Sequence, residues 1–133
     1  MKTFHIYTNQ MKDADGSTTA YIEEYLLQRG CICKEHPDQS VEGIIVLGGD
    51  GTLLRAAREY LGMNIPMIGV NLGTLGYLAE VEKDQIDAAL DSLIEDKYEV
   101  ESRMMLSGIS VISGSSMEPM IALNDIVINR KGA

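Results

Sequence analysis

The stretch Gly43-Ile44-Ile45-Val46-Leu47-Gly48-Gly49-Asp50-Gly51-Thr52-Leu53-Leu54-Arg55 decides the fold. Its first five residues form a near-continuous apolar run, as a parallel strand covered on both faces requires. Glycines then end the run, and a helix is expected directly after them. Leu54, Ala57 and Leu61 would form the apolar stripe of that helix, with Gly62 as its stop.

The flanking sequence repeats the same alternation. Residues 3–8 place Phe4 and Ile6 on one face of a strand and His5 and Tyr7 on the other. The loop Asp13 to Ser17 offers N-cap residues. A helix follows, with Ile22, Tyr25 and Leu26 at helical spacing and Gly30 just past its end. Cys31 to Glu35 reads as a short strand. Pro66 introduces a second buried strand, Met67-Ile68-Gly69-Val70, which leads into the loop Asn71-Leu72-Gly73-Thr74-Leu75-Gly76. Lys83 to Lys97 reads as a helix, with Ile86, Ala89, Leu90, Leu93 and Ile94 on its apolar face. This order predicts an α/β fold: an open, mostly parallel sheet with flanking helices.

After Lys97 the pattern changes to strands without helices: Tyr98 to Leu106, Ile109 to Ile112, and Met120 to Asn129, with Ser113 to Ser116 as a hairpin connection. A boundary is expected near 97/98, giving an α/β nucleotide-binding domain over 1–97 and the first strands of a β-rich second domain over 98–133.

Composition limits the function classes. Hydrophobic residues make up 45% of the 133, the level of an ordinary globular core. A formal charge of −9 argues against nucleic acid or an anionic membrane as partner. A small anion remains compatible, because backbone N–H groups can hold phosphate in an acidic protein. The sequence has no apolar run approaching the ~18 residues of a membrane span, and Met1 to His5 does not open a signal peptide. A cytoplasmic protein is the default. Cys31 and Cys33 read as small apolar residues in a reducing compartment and do not complete a metal site. His5 and His36 read as surface or edge residues. The acidic residues Glu80, Glu82, Asp84, Asp87, Asp91, Glu95 and Asp96 read as the solvated face of the last helix. The methionines, Met104, Met105 and Met120 among them, read as core or as a seam favouring self-association.

Three glycines at the carboxyl end of a strand and the start of a helix are suited to phosphate, since glycine lets the backbone approach closely and the helix end supplies free N–H donors. Asp50 in their midst would repel phosphate unless it accepts a proton or holds a metal ion. The alternative is a tight turn in which Asp50 only caps the helix. Arg55 lies one turn on, within reach of a bound phosphate. The Asn71 to Gly76 loop is either a second ligand loop or a plain turn. Asn124-Asp125, inside an apolar strand run, is a bulge, a strand edge or a ligand-facing pair.

Gly48-Gly49-Asp50-Gly51-Thr52-Leu53-Leu54-Arg55-Ala56-Ala57 resembles the phosphate-loop segment of NAD kinases. Asn71 to Leu78, Tyr98 to Leu106 and Ala122 to Ile128 resemble three further segments of that family, in the same order. Lipid kinases and phosphofructokinases carry relatives of the first motif alone. The resemblance implies transfer of a terminal phosphoryl group from ATP or polyphosphate to the 2′-hydroxyl of the adenosine ribose of NAD, giving NADP, with Mg²⁺ present. It implies Asp50 as proton acceptor, and Gly49, Asp50 and Gly51 lining the nucleotide site. Arg55 would face phosphate, Asn71 would belong to the second loop, Tyr77 would lie near the adenine, and Asn124 and Asp125 would bond the ribose. NAD and ATP would be the ligands, with a homo-oligomer expected. Asp125 stands where the family usually has Glu, one methylene longer. The family also continues past this point with a β-rich domain, so this chain is expected to be a portion with little activity alone. A lipid kinase of the diacylglycerol or sphingoid type, or a non-catalytic nucleotide-binding or oligomerising module, are the alternatives.

Overall fold

The computed structural model describes residues 1–73, 81–106 and 120–128. Its strands are β1 (Thr3–Thr8), β2 (Ile32–Cys33), β3 (Gly43–Gly48), β4 (Met67–Asn71), β5 (Val81–Glu82), β6 (Tyr98–Leu106) and β7 (Met120–Ile128). Its helices are α1 (Ser17–Gln28), α2 (Asp50–Glu59) and α3 (Ile86–Ile94), the last preceded by a 3-10 turn at Lys83–Gln85.

The strands form one sheet in the order β2-β1-β3-β4-β7-β6, with β5 added beside the end of β4. The strands β1 to β5 and the β4–β7 pair are parallel, and β6 runs antiparallel to β7. β1 pairs β3 from Phe4↔Gly43 to Thr8↔Leu47, and β3 pairs β4 from Ile44↔Met67 to Gly48↔Asn71. The mostly parallel α/β sheet expected from the sequence is therefore present.

All six residues of β3 are buried, and alternation divides them between two cores. Ile45 and Leu47 join Phe4, Ile68, Val70, Ile22 and Leu26 of α1 and Leu90 and Leu93 of α3. Ile44 and Val46 join Met67 and Leu53, Ala56 and Ala57 of α2. The sheet is thus sandwiched, with α1 and α3 on one face and α2 on the other. Burying one such aliphatic side chain stabilises by about 1.5–3 kcal/mol.

α1 ends as its sequence predicts. Gly30 takes φ +79°, its N–H donates to Leu27 O, and the Cys31 N–H reaches Leu26 O. Asp96, at φ +59°, closes α3 in the same way, without a glycine.

Several expectations change. The buried stripe of α2 is Leu53, Ala56 and Ala57, while Leu54 is only part-buried and Leu61 is 62% exposed. The helix starts at Asp50, and the face it turns to β3 falls one residue earlier than the leucine spacing suggested. β2 is two residues long. His5 is buried, with its ring Nδ1 2.9 Å from Lys34 O and its edge against Tyr60. The acidic face of α3 is not simply solvated: Tyr21 OH donates to Asp87 at 2.5 Å and Tyr25 OH to Asp91 at 2.7 Å, tying α3 to α1. The expected strand at Ile109 to Ile112 and the hairpin connection at Ser113 to Ser116 lie outside the described residues. Among those residues, no helix is long and apolar enough to cross a membrane.

Candidate functional site

The ends of β1, β3 and β4 lie side by side, and the described residues that follow them meet at one edge of the sheet. β3 ends at Gly48, Gly49 is extended (φ −138°, ψ −160°), and Asp50 is the first residue of α2. The carboxylate of Asp50 therefore sits at the positive end of the helix, where it is favoured and where phosphate would be favoured too. Asp50 lies within the first turn, and the N-cap position itself is Gly49, which has no side chain to cap α2.

The glycines differ in what they allow. A Cβ on Gly48 would overlap Thr52 Oγ1 and lie 2.7 Å from Thr52 Cβ. Thr52 is 3% exposed, so packing alone requires Gly48. A Cβ on Gly51 would meet nothing within 4 Å. Glycine in a helix costs about 1 kcal/mol relative to alanine, and no described residue demands it there.

The second loop is bonded to the first. Leu72 N–H donates to Gly48 O at 3.0 Å. Asn71 is buried and aims its side chain back along its own loop, where its Oδ1 accepts the Gly73 N–H at 3.1 Å. In these contacts Asn71 shapes the turn. Tyr77 lies outside the described residues.

A third loop, after β1, was not singled out from the sequence. Asn9 N–H extends the pairing by donating to Leu47 O, and Asn9 O accepts the N–H groups of Lys12 and Asp13. Asn9 Nδ2 donates to Thr52 Oγ1 at 3.2 Å. Buried Asp13 accepts Thr18 N–H, Thr19 N–H and Thr19 Oγ1, fixing the start of α1. Burial pushes the Asp13 carboxyl up, but those hydrogen bonds together outweigh it and hold it below the ordinary 3.8. Between these anchors stands Lys12, whose Nζ would lie 3.7 Å from a Cβ on Gly49 and 2.8 Å from one on Gly73. The amine thus reaches across both glycine loops. The signal was available: every loop that follows a parallel strand opens on this edge of the sheet.

Arg55 is exposed on α2, near Tyr7 and Glu59. Burial and then the Glu59 hydrogen bond push the Tyr7 hydroxyl up to about 12, and the Arg55 charge opposes them. Tyr7 pairs with Val46, two residues before Gly48, so Arg55 is near the loop end of the strand.

The structure does not bring Asn124 and Asp125 to these loops. Asp125 pairs with Met67, which pairs with Ile44, four residues before Gly48. The separation is roughly 13 Å along the strands. Asn124 Oδ1 accepts from Ser102 Oγ at 2.8 Å. Fully buried Asp125 has Oδ2 3.2 Å from Arg103 Nη1. That contact is an ion pair by distance without hydrogen-bond alignment.

No group of three or more His, Cys, Asp or Glu side chains among the described residues could hold a metal ion. The donor set at the loops fits only a cation held chiefly by phosphate oxygens and water, with one carboxylate.

The family model for the ATP-NAD kinase N-terminal domain matches residues 5–98. The chain belongs to this family. Its matches include the NAD kinase of Lachnospira eligens, 41% identical across 100% of this chain and 52% of that protein, and the NAD kinase of Agathobacter rectalis, 45% identical across 99% and 51%. The chain therefore spans about half the length of these curated relatives. A crystal structure of an NAD kinase from Archaeoglobus fulgidus in complex with ATP aligns with a TM-score of 0.59 at 25% identity, over 82% of this chain and 43% of that one. Yeast NADH kinase complexed with NADH aligns with a TM-score of 0.58 at 16% identity, over 92% and 46%, and supports the fold alone.

Proposed function

We propose that this chain supplies the phosphate-handling side of an NAD kinase. In the reaction, Asp50 accepts the proton of the adenosine-ribose 2′-hydroxyl. The freed oxygen attacks the terminal phosphorus of ATP, the bond to the bridging oxygen breaks, and ADP and NADP leave. Gly49, Asp50 and Gly51 line the nucleotide. Arg55 neutralises phosphate charge, and Asn71 sets the second loop against the first.

The observation that carries this reading is Gly51. It is a helical glycine without a packing reason among the described residues, beside a carboxylate, at the end of a parallel strand. Close approach of a ligand accounts for it. A divalent cation such as Mg²⁺, when bound with the phosphates, would neutralise their charge, and Asp50 is the carboxylate of the first loop that would help hold it. The ribose role of Asn124 and Asp125 and the adenine role of Tyr77 rest on the resemblance. Residues 98–133 are read as the first strands of a β-rich second domain, with the antiparallel β6–β7 pair in support. The free thiols Cys31 and Cys33 fit a cytoplasmic protein. Self-association is part of the same reading and is checked by sedimentation.

Calorimetry of this chain with ATP and with NAD tests binding. Turnover is tested in a protein completed with the other half of the Agathobacter rectalis relative. There Asp50→Asn should lower turnover by at least about a hundredfold and leave NAD affinity little changed. Turnover that survives the substitution removes Asp50 as the base.

A further inference from the structure

We propose that Lys12 is a phosphate-positioning residue whose ammonium group bridges an anion held between the two glycine loops. The inference rests on the kinase reading and adds a third loop to its site. The proposal starts from where the amine stands. Its Nζ approaches both Gly49 and Gly73, and at Gly73 even a single methyl group would intrude on it, at 2.8 Å. Gly73 leaves room for the amine and Gly49 lies within ordinary contact of it, at the point where their loops are already joined by Leu72 N–H and Gly48 O.

The backbone beneath Lys12 is held at both sides. Asn9 accepts its N–H and also bonds Thr52, on the first turn of α2. Asp13 is locked into the start of α1 by three hydrogen bonds. The side chain itself is exposed and makes neither a hydrogen bond nor an ion pair with a described residue. A cation held beside two glycine loops at a helix N-terminus, with its charge unmatched among the described residues, suits a polyanion such as the triphosphate of a nucleotide. Lysine suits this task as a point charge able to follow phosphate oxygens.

The test uses this chain, with ATP, inorganic tripolyphosphate and adenosine as separate probes in calorimetry. Lys12→Ala should weaken ATP and tripolyphosphate by roughly tenfold or more, as loss of a charge-assisted hydrogen bond would. Adenosine should be unaffected, and Lys12→Arg should restore most of the loss while Lys12→Gln should not. Gly73→Ala, which crowds the amine without removing it, should give a smaller loss of the same kind. If unsubstituted chain binds tripolyphosphate and Lys12→Ala binds it equally well, the Lys12 role is overturned and the kinase reading stands. If unsubstituted chain binds neither ATP nor tripolyphosphate, both fall. An equal loss in the Ala, Arg and Gln variants would assign Lys12 a structural role in its turn and overturn the proposal.

Discussion

The glycine-loop edge of the sheet and the joint that carries β6 and β7 are built in opposite ways. At the first, β1, β3 and β4 pair over five residues each, and their loops are cross-bonded through Asn9, Thr52, Gly48 and Leu72. At the second, the nine-residue antiparallel β6–β7 pair meets β4 among the described residues at Met67↔Asp125, a buried carboxylate, with Leu123 and Ile126 packed into the two cores on either side. Redundant pairing positions a site within narrow limits, whereas a joint with a buried charge depends on how that charge is balanced. That difference explains why Gly48, Asp50, Asn71 and Lys12 form a coherent surface while Asn124 and Asp125 stand apart from it.

The contrast can be broken most severely at Gly48. A methyl group there collides with the side chain of Thr52, which is buried and bonded to Asn9, so Gly48→Ala should cost about 3 kcal/mol. Urea melts should show it, and tripolyphosphate binding should be lost with it. A cost below 1 kcal/mol would mean that α2 slides and that the loop edge is less rigid than its bonding implies.

Arg103→Leu addresses the joint alone. Removing the Arg103–Asp125 ion pair should cost about 2 kcal/mol, less than the ~3–5 kcal/mol of a fully buried pair because Arg103 is 26% exposed. Hydrogen exchange should quicken in β6 and β7 and stay unchanged in β1, β3 and β4. Equal quickening in all five strands would erase the distinction.

The smallest effect belongs to the support under the loops. Asp13→Ala removes three hydrogen bonds at the start of α1 and should cost about 1 kcal/mol. Because the folded Asp13 pKa lies below 3.8, its contribution is complete above that value and fades as pH falls through the lower folded value. The gap between variant and parent in urea melts should therefore be full at pH 7 and narrow in acid. A gap that grows below pH 4 would contradict the assignment.

Much of the loop edge was legible because its signals are local. The apolar run of β3, the glycines after it and the periodicity of α3 each lie within one element. Gly30 announced the end of α1 for the same reason. The misses involve partners distant in sequence. Lys12 meets Gly73 across sixty-one positions, and neither residue type is unusual alone. His5 is buried because Tyr60 and Lys34 cover it, which a strand pattern cannot reveal. The α2 stripe shifted by a residue because β3, not leucine spacing, chose the face. β7 found β4 by a pairing whose register no nearby residue encodes.

The tyrosines that join α1 to α3 bear on how this acidic chain meets changes in ionic strength. Dissolved ions weaken attractions between full charges near water and have little purchase on a hydroxyl donating to a carboxylate at contact distance. Of the links on that face, Arg29–Asp91, 3.7 Å apart, would loosen in brine, whereas Tyr21–Asp87 and Tyr25–Asp91 would not. With a net charge of −9, added salt also relieves self-repulsion. The face that looks most electrostatic in the sequence is thereby fastened in a way that tolerates a salty medium.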